Sequence, residues 1–175
     1  MKKILIIFGV IIAIGAVGFF GFRAFTKLAS PQATANYSKN GLDVKVIYYQ
    51  PSKKNRIIFG NIVPYGKLWR TGANESTEIT FNKDVKIAGQ PLKAGTYTFY
   101  TIPTETTWTL IFNTKLGTWG DFNYDKTKDA LQVVVPSTTS ETEIEKFTIS
   151  YTEADNIVIM VLAWDKTLVN IPISL

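Results

Sequence analysis

GTYTFYTIPTETTWTLIF, from Gly95 to Phe112, decides the fold. Tyr97, Phe99 and Thr101 alternate with Thr96, Thr98 and Tyr100. A turn through Pro103 and Thr106 follows, and the return places Trp108, Leu110 and Phe112 on one face. Period-two alternation in two adjacent runs of aromatic and β-branched residues predicts an antiparallel hairpin with one buried face, not a helix. The same period recurs outward along the chain. Residues 34–38 and 42–50 flank Asn40-Gly41, whose tolerance of positive φ suits a two-residue hairpin turn. Short strands are expected at 56–60, 78–81, 85–87, 130–135, 144–151, 157–164 and 168–173. Turns are expected at 82–84, 89–95 and 153–156, a break at Pro136, and a polar linker at 137–140. The most apolar run, IVIMVLAW at 157–164, is expected at the centre of a sheet and 168–173 at an edge. No segment shows three turns of amphipathic helix. The pattern predicts an all-β domain, an antiparallel two-layer β-sandwich, with long loops at 61–77 and 113–128.

The N-terminus reads differently. From Ile4 to Phe22 run 19 residues with no charged or polar side chain. As a helix they rise roughly 28 Å, about the thickness of bilayer hydrocarbon. The expected layout is a basic n-region at 1–3, a transmembrane helix at 4–22, a linker at 23–33 and the β domain at 34–175. Residues 4–22 are the expected contact with the cytoplasmic membrane. Length favours an anchor that stays attached, with the domain outside the cytoplasm. The alternative is a signal sequence cut at a site such as Ala33-Thr34-Ala35, which leaves an exported soluble protein.

Composition excludes several chemistries. The chain has no Cys and no His. Disulfides, thiol nucleophiles, Ser-His-Asp triads and nearly all zinc sites are therefore out. Of 19 basic residues, Lys2, Lys3, Arg23 and Lys27 flank the apolar run. The remaining 15 face 14 acidic ones, so the domain is nearly neutral and no nucleic-acid partner is expected. No cofactor or metal is expected either. Asp121, Asp125 and Asp129 lack the Gly and final Glu of a calcium-binding helix–loop–helix, although loop oxygens leave calcium open.

Candidate chemistry concentrates in VPYGKLWRTGANESTE, residues 63–78. Tyr65, Lys67, Trp69, Arg70, Asn74, Glu75 and Glu78 are its candidate ligand-binding residues. Arg70 offers a rigid five-donor fork to a carboxylate or phosphate, Trp69 a flat face to a sugar, and Asn74 both donor and acceptor. The competing reading is architectural: Arg70 pairs with Glu75 or Glu78, and Trp69 plugs the end of the sandwich. A second cluster, Trp119-Gly120-Asp121-Phe122 with Tyr124 and Asp125, mixes aromatics with carboxylates. It adds Trp119 and Asp121 to the candidates if the two loops meet. Glu75 with Glu78 or Asp121 could also form an acid–base pair, as in glycoside hydrolysis.

The stretch 63–75, together with YQPS at 49–52, KNRIIFG at 54–60, LKAGTY at 92–97 and WTLIFN at 108–113, resembles the DUF2911 family, as does nearly everything beyond Ser30. The resemblance implies a bacterial, often exported protein, found mainly in Bacteroidetes, with no established catalytic residues. Gln50 stands where the family's phrase suggests arginine. Three functions remain in view. The first is an extracytoplasmic binding module for a glycan or small anionic ligand. The others are a structural or assembly component of the envelope and a carboxylate-dependent hydrolase.

Overall fold

The structure, a computed structural model, describes residues 2–154 and 157–175. One helix, α1 (Lys2–Ala29), precedes an antiparallel sheet. Its strands are β1 (Gln32–Lys39), β2 (Leu42–Tyr49), β3 (Thr77–Phe81), β4 (Val85–Ile87), β5 (Gln90–Leu92), β6 (Gly95–Pro103), β7 (Thr107–Asn113), β8 (Asp129–Ala154) and β9 (Ile157–Ser174). Their spatial order is β1-β2-β3-β6-β7-β8-β9-β4-β5. The β6–β7 hairpin forms as its alternation predicts, pairing Phe99 with Phe112 and Pro103 with Trp108. Asn40 and Gly41 both take positive φ between β1 and β2.

β8 carries the chain from one group of strands to the other. Residues Asp129 to Pro136 pair with β7, and Ser137 to Ala154 pair with β9. The exchange of partners is consistent with the two-layer packing expected from the pattern. The expected break at Pro136 and linker at 137–140 do not occur; β8 is continuous over 26 residues. The Ser137 N–H donates toward β7, to the Thr106 carbonyl. The missing N–H of Pro136 would therefore face the other side, where β9 starts to pair only at Ser137. A proline costs nothing where no ladder bond is due. Register shifts between Thr139 and Thr148 absorb the bend as bulges.

Residues 157–164 and 168–173 are likewise one strand, β9, which bends at Asp165, a residue at φ 54°. β9 lies between β8 and β4, so its second half is not an edge. The expected turn at 89–95 contains the short strand β5, and Asp155 and Asn156 of the turn at 153–156 lie outside the described residues. Residues 56–60 form no strand. Lys54 and Asn55 take positive φ, and the chain closes a tight loop in which the Gly60 N–H donates to the Val63 carbonyl and the Val63 N–H to the Ile58 carbonyl. The expected linker 23–33 is mostly helix. With no proline before Pro31, α1 continues through Arg23 and Lys27 and stops just short of the residue that proline disfavours in a helix.

Val44, Val46, Ile79, Phe99, Leu110 and Phe112 form the core beneath β2, β3, β6 and β7. At one end an aromatic cluster closes it. Trp69 stands 6.0 Å from Trp164 in a stacked pair, 5.9 Å from Trp108 and 5.1 Å from Phe147. Phe59 caps the group, 5.1 Å from Trp108. Such pairs add to their area burial, and each large ring removes roughly 150–250 Å² from water. Phe147, fully buried at the bend of β8, touches Tyr48, Trp69 and Trp164. Phe147→Ala should cost about 3–5 kcal/mol in chemical denaturation, whereas the exposed Val134→Ala should stay within about 0.5 kcal/mol.

Candidate functional site

The two long loops meet. Glu75 and Trp119 form an isolated antiparallel bridge. The Ser76 N–H donates to the Thr118 carbonyl at 3.0 Å, and the Gly120 N–H to the Asn74 carbonyl at 3.1 Å. Beneath this ribbon runs a buried chain of hydroxyls. Tyr100 and Thr118 share a bond of 2.8 Å, Thr118 donates to Ser76, and Ser76 donates to the Gly120 carbonyl. Buried polar groups are costly unless partnered, and here each finds a partner.

The first loop is fixed from inside by Trp69. Its backbone N–H and carbonyl both bond Thr101 of β6, at 2.8 and 2.9 Å, and its indole N–H donates to the Gly72 carbonyl at 3.0 Å. Only 8% of Trp69 is exposed, so it offers no open face to a sugar ring. Gly72 passes so close to β2 that an added Cβ would lie 2.9 Å from the Tyr49 carbonyl oxygen. Thr71 and Thr77 complete the packing: Thr71 donates to the Thr101 hydroxyl, and Thr77 to the Thr71 carbonyl.

The architectural reading of Arg70 does not hold. Neither Glu75 nor Glu78 lies within ion-pair distance of it. Glu78 accepts the Gly117 N–H at 3.0 Å. Glu75 turns to α1, where one carboxylate oxygen, Oε1, takes both Arg23 and Lys27, each at 2.8 Å. Its other oxygen, Oε2, is buried without a hydrogen-bond partner. The Asn74 side-chain amide reinforces the dock by donating to the carbonyls of Thr26 and Ser30, each at 3.3 Å. Burial pushes the Glu75 carboxyl up, but the Lys27 ammonium and further hydrogen bonds outweigh it and hold the group below its ordinary range.

Arg70 is left half-buried, with no carboxylate within 4 Å. One of its five N–H donors goes to the Asn74 carbonyl at 3.1 Å, and its guanidinium lies 5.8 Å from the Trp119 ring. Burial pulls its pKa down, and the more distant Asp121 charge opposes that. Arg70 opens on a cleft of about 280 Å³ between Ser30, Arg56, Ile62, Gly72, Asn74 and the edge of Trp164. That is near the lower end of small-molecule sites. Arg56, exposed at the rim, spends two donors on the carbonyls of Ser52 and Lys53.

The structure thus brings Trp69, Arg70, Asn74, Glu75 and Trp119 together and places Asp121 within electrostatic reach. Tyr65 and Lys67 are exposed and do not line the cleft. Sequence reasoning missed Arg56, Trp164, Arg23 and Lys27. Arg23 and Lys27 carried one usable signal, since a spacing of four puts both on one face of a helix. Among the described residues no three His, Cys, Asp or Glu side chains gather as a metal set. A larger groove of about 690 Å³ runs between β1 and the end of β8, bridged by Lys39 and Glu153 at 2.6 Å, and holds none of the candidates.

The chain belongs to the DUF2911 family, a family of proteins of unknown function, which matches residues 30–173. No curated protein and no solved structure matches it. The match begins at Ser30, whose carbonyl Asn74 holds.

The dock makes its own pH prediction. A carboxyl held below its ordinary range stabilises fully above its unfolded-state pKa, and that contribution is lost as pH falls through the folded one. With spin labels at Leu28→Cys and Val134→Cys, two exposed positions in a cysteine-free chain, α1 should be held at one fixed distance from the domain at neutral pH. It should be freed on acidification below the ordinary carboxylate range, and already free at neutral pH in Glu75→Gln.

Proposed function

We propose that this DUF2911 protein is an extracytoplasmic binding module. Its N-terminal helix holds it to the cytoplasmic membrane, and its cleft takes a small ligand through a carboxylate or phosphate group at Arg70. The observation that carries this reading is the half-buried guanidinium without a carboxylate within 4 Å. Burying a cation costs free energy unless something compensates it. One carbonyl and one aromatic ring supply part of that compensation. Four donors remain for an anion, and arginine's planar fork suits two-point capture of an oxyanion.

The small cleft favours an anionic group over an extended glycan, because the indole face expected to stack a sugar is used in the core. An acidic sugar remains within the class. The hydrolase alternative loses support, since Glu75 and Glu78 already serve the helix and the Gly117 amide. A structural or assembly role draws on the Glu75 dock alone.

The anchor is supported by the helix itself. Its 19 uncharged residues at 4–22 are long enough to cross a membrane, and the stretch of the helix apolar enough to do so runs on to Ala29. Its basic end is docked to the domain, which favours retention over cleavage at Ala33-Thr34-Ala35. That site also lies inside β1, and cutting there would remove the segment Asn74 holds.

A panel of small carboxylates and phosphates, read by thermal shift on the full chain in detergent, tests the anion reading. At least one should raise the melting temperature of the wild type and leave Arg70→Met unmoved. Asp121→Asn should bind the same anion more tightly, because it removes the opposing charge near Arg70. Equal shifts in wild type and Arg70→Met for every anion would sink the proposal.

A further inference from the structure

The loop tip at residues 119–122 exposes aromatic surface that the cleft does not use. Phe122 is 75% exposed and Trp119 37%. The two rings stack, with centroids 5.9 Å apart and planes 12° apart. Phe122 folds over Gly120, a residue at φ +70°, where an added Cβ would lie 2.9 Å from the ring. A stacked Trp–Phe pair facing water on a loop tip buries little and stabilises little in water.

The helix says where this tip lies. If residues 4–22 fill the hydrocarbon, Arg23 is the first residue beyond it. At about 1.5 Å per residue, Arg23 and Lys27 fall roughly 2–8 Å past the boundary, which is the depth of the headgroup layer. Both reach Glu75 at 2.8 Å. Glu75 is bridged to Trp119, and bridged residues lie about 5 Å apart. Phe122 is one ring stack further. The dock therefore ties the exposed aromatics to the end of α1 that would leave the bilayer, and Trp favours the boundary between water and acyl chains. Arg70, beside Trp119, adds a third cation to Arg23 and Lys27 at that end.

We propose that the 119–122 tip inserts into the interface of the bilayer that α1 crosses. The domain then lies docked on the membrane rather than tethered above it. This inference rests on the anchor reading given above. The lipid surface is the chosen occupant because the crossing helix and the aromatic tip are joined through Glu75.

The full chain is reconstituted in phosphatidylcholine–phosphatidylglycerol vesicles, with or without lipids brominated at shallow acyl positions. Tryptophan emission is then recorded for wild type and Trp119→Phe. Brominated lipid should quench the wild type and lose that effect in Trp119→Phe, while aqueous iodide should barely reach Trp119. A polarity-sensitive dye at Phe122→Cys in the cysteine-free chain gives an independent reading and should shift to the blue on reconstitution. Trp119 emission quenched by iodide and not by brominated lipid overturns the insertion, as does quenching by neither, which would mean a protein cover. Failure of the chain to float with the vesicles overturns the anchor and this inference together. Flotation without lipid quenching overturns only the inference.

Discussion

Trp69 is held from three directions, and the site depends on that grip. Its backbone is strapped to Thr101 of β6, its indole N–H to the Gly72 carbonyl, and its ring is closed in by Phe59, Trp108, Phe147 and Trp164. A loop of this length would ordinarily be the soft part of a β domain. Here it is pinned at its midpoint into the core. With Trp69 fixed, the next residue must emerge at the end of the sheet, and the four residues from Thr71 to Asn74 must turn back across β2. Thr71, Gly72 and Asn74 all take positive φ to do so. The strain is tolerated because buried hydroxyls and the Trp69 ring over-determine the conformation.

That constraint divides the motif by role. Trp69, Thr71 and Gly72 fold it, and Asn74 and Glu75 reach outward to the end of α1. Arg70 is presented half-buried without a carboxylate within 4 Å, whereas Lys67 stands in water. A dense string of polar and aromatic residues can thus look like one binding site while most of its members serve architecture. Glu75 shows this most clearly. Read beside Arg70, it is the natural ion-pair partner, yet it faces the other way because two helix cations reach it first.

The hairpins were legible because alternation and Asn-Gly turn chemistry are local properties. The continuity of β8 and β9 was not. Pro136 and Asp165 look like breaks in one dimension, but each falls where the strand changes partner or bends, and only the neighbouring strands reveal that no bond is lost. The meeting of the two loops was also illegible, because it rests on main-chain bonds between Ser76 and Thr118 and between Gly120 and Asn74, which no side-chain pattern encodes. The helix was legible in its apolar part. Its continuation through Arg23 and Lys27 was not, because the two charges interrupt the apolar run, although both residues are good helix formers.

Loop 61–76 and loop 114–125 form one rigid unit on Trp69, not two mobile loops that happen to touch. Native-state hydrogen exchange at the Ser76 and Gly120 amides measures this directly. In a rigid unit both amides exchange only with global unfolding, alongside core amides such as Phe99 and Leu110. Fast exchange at Ser76 and Gly120 while β6 and β7 stay protected would contradict it.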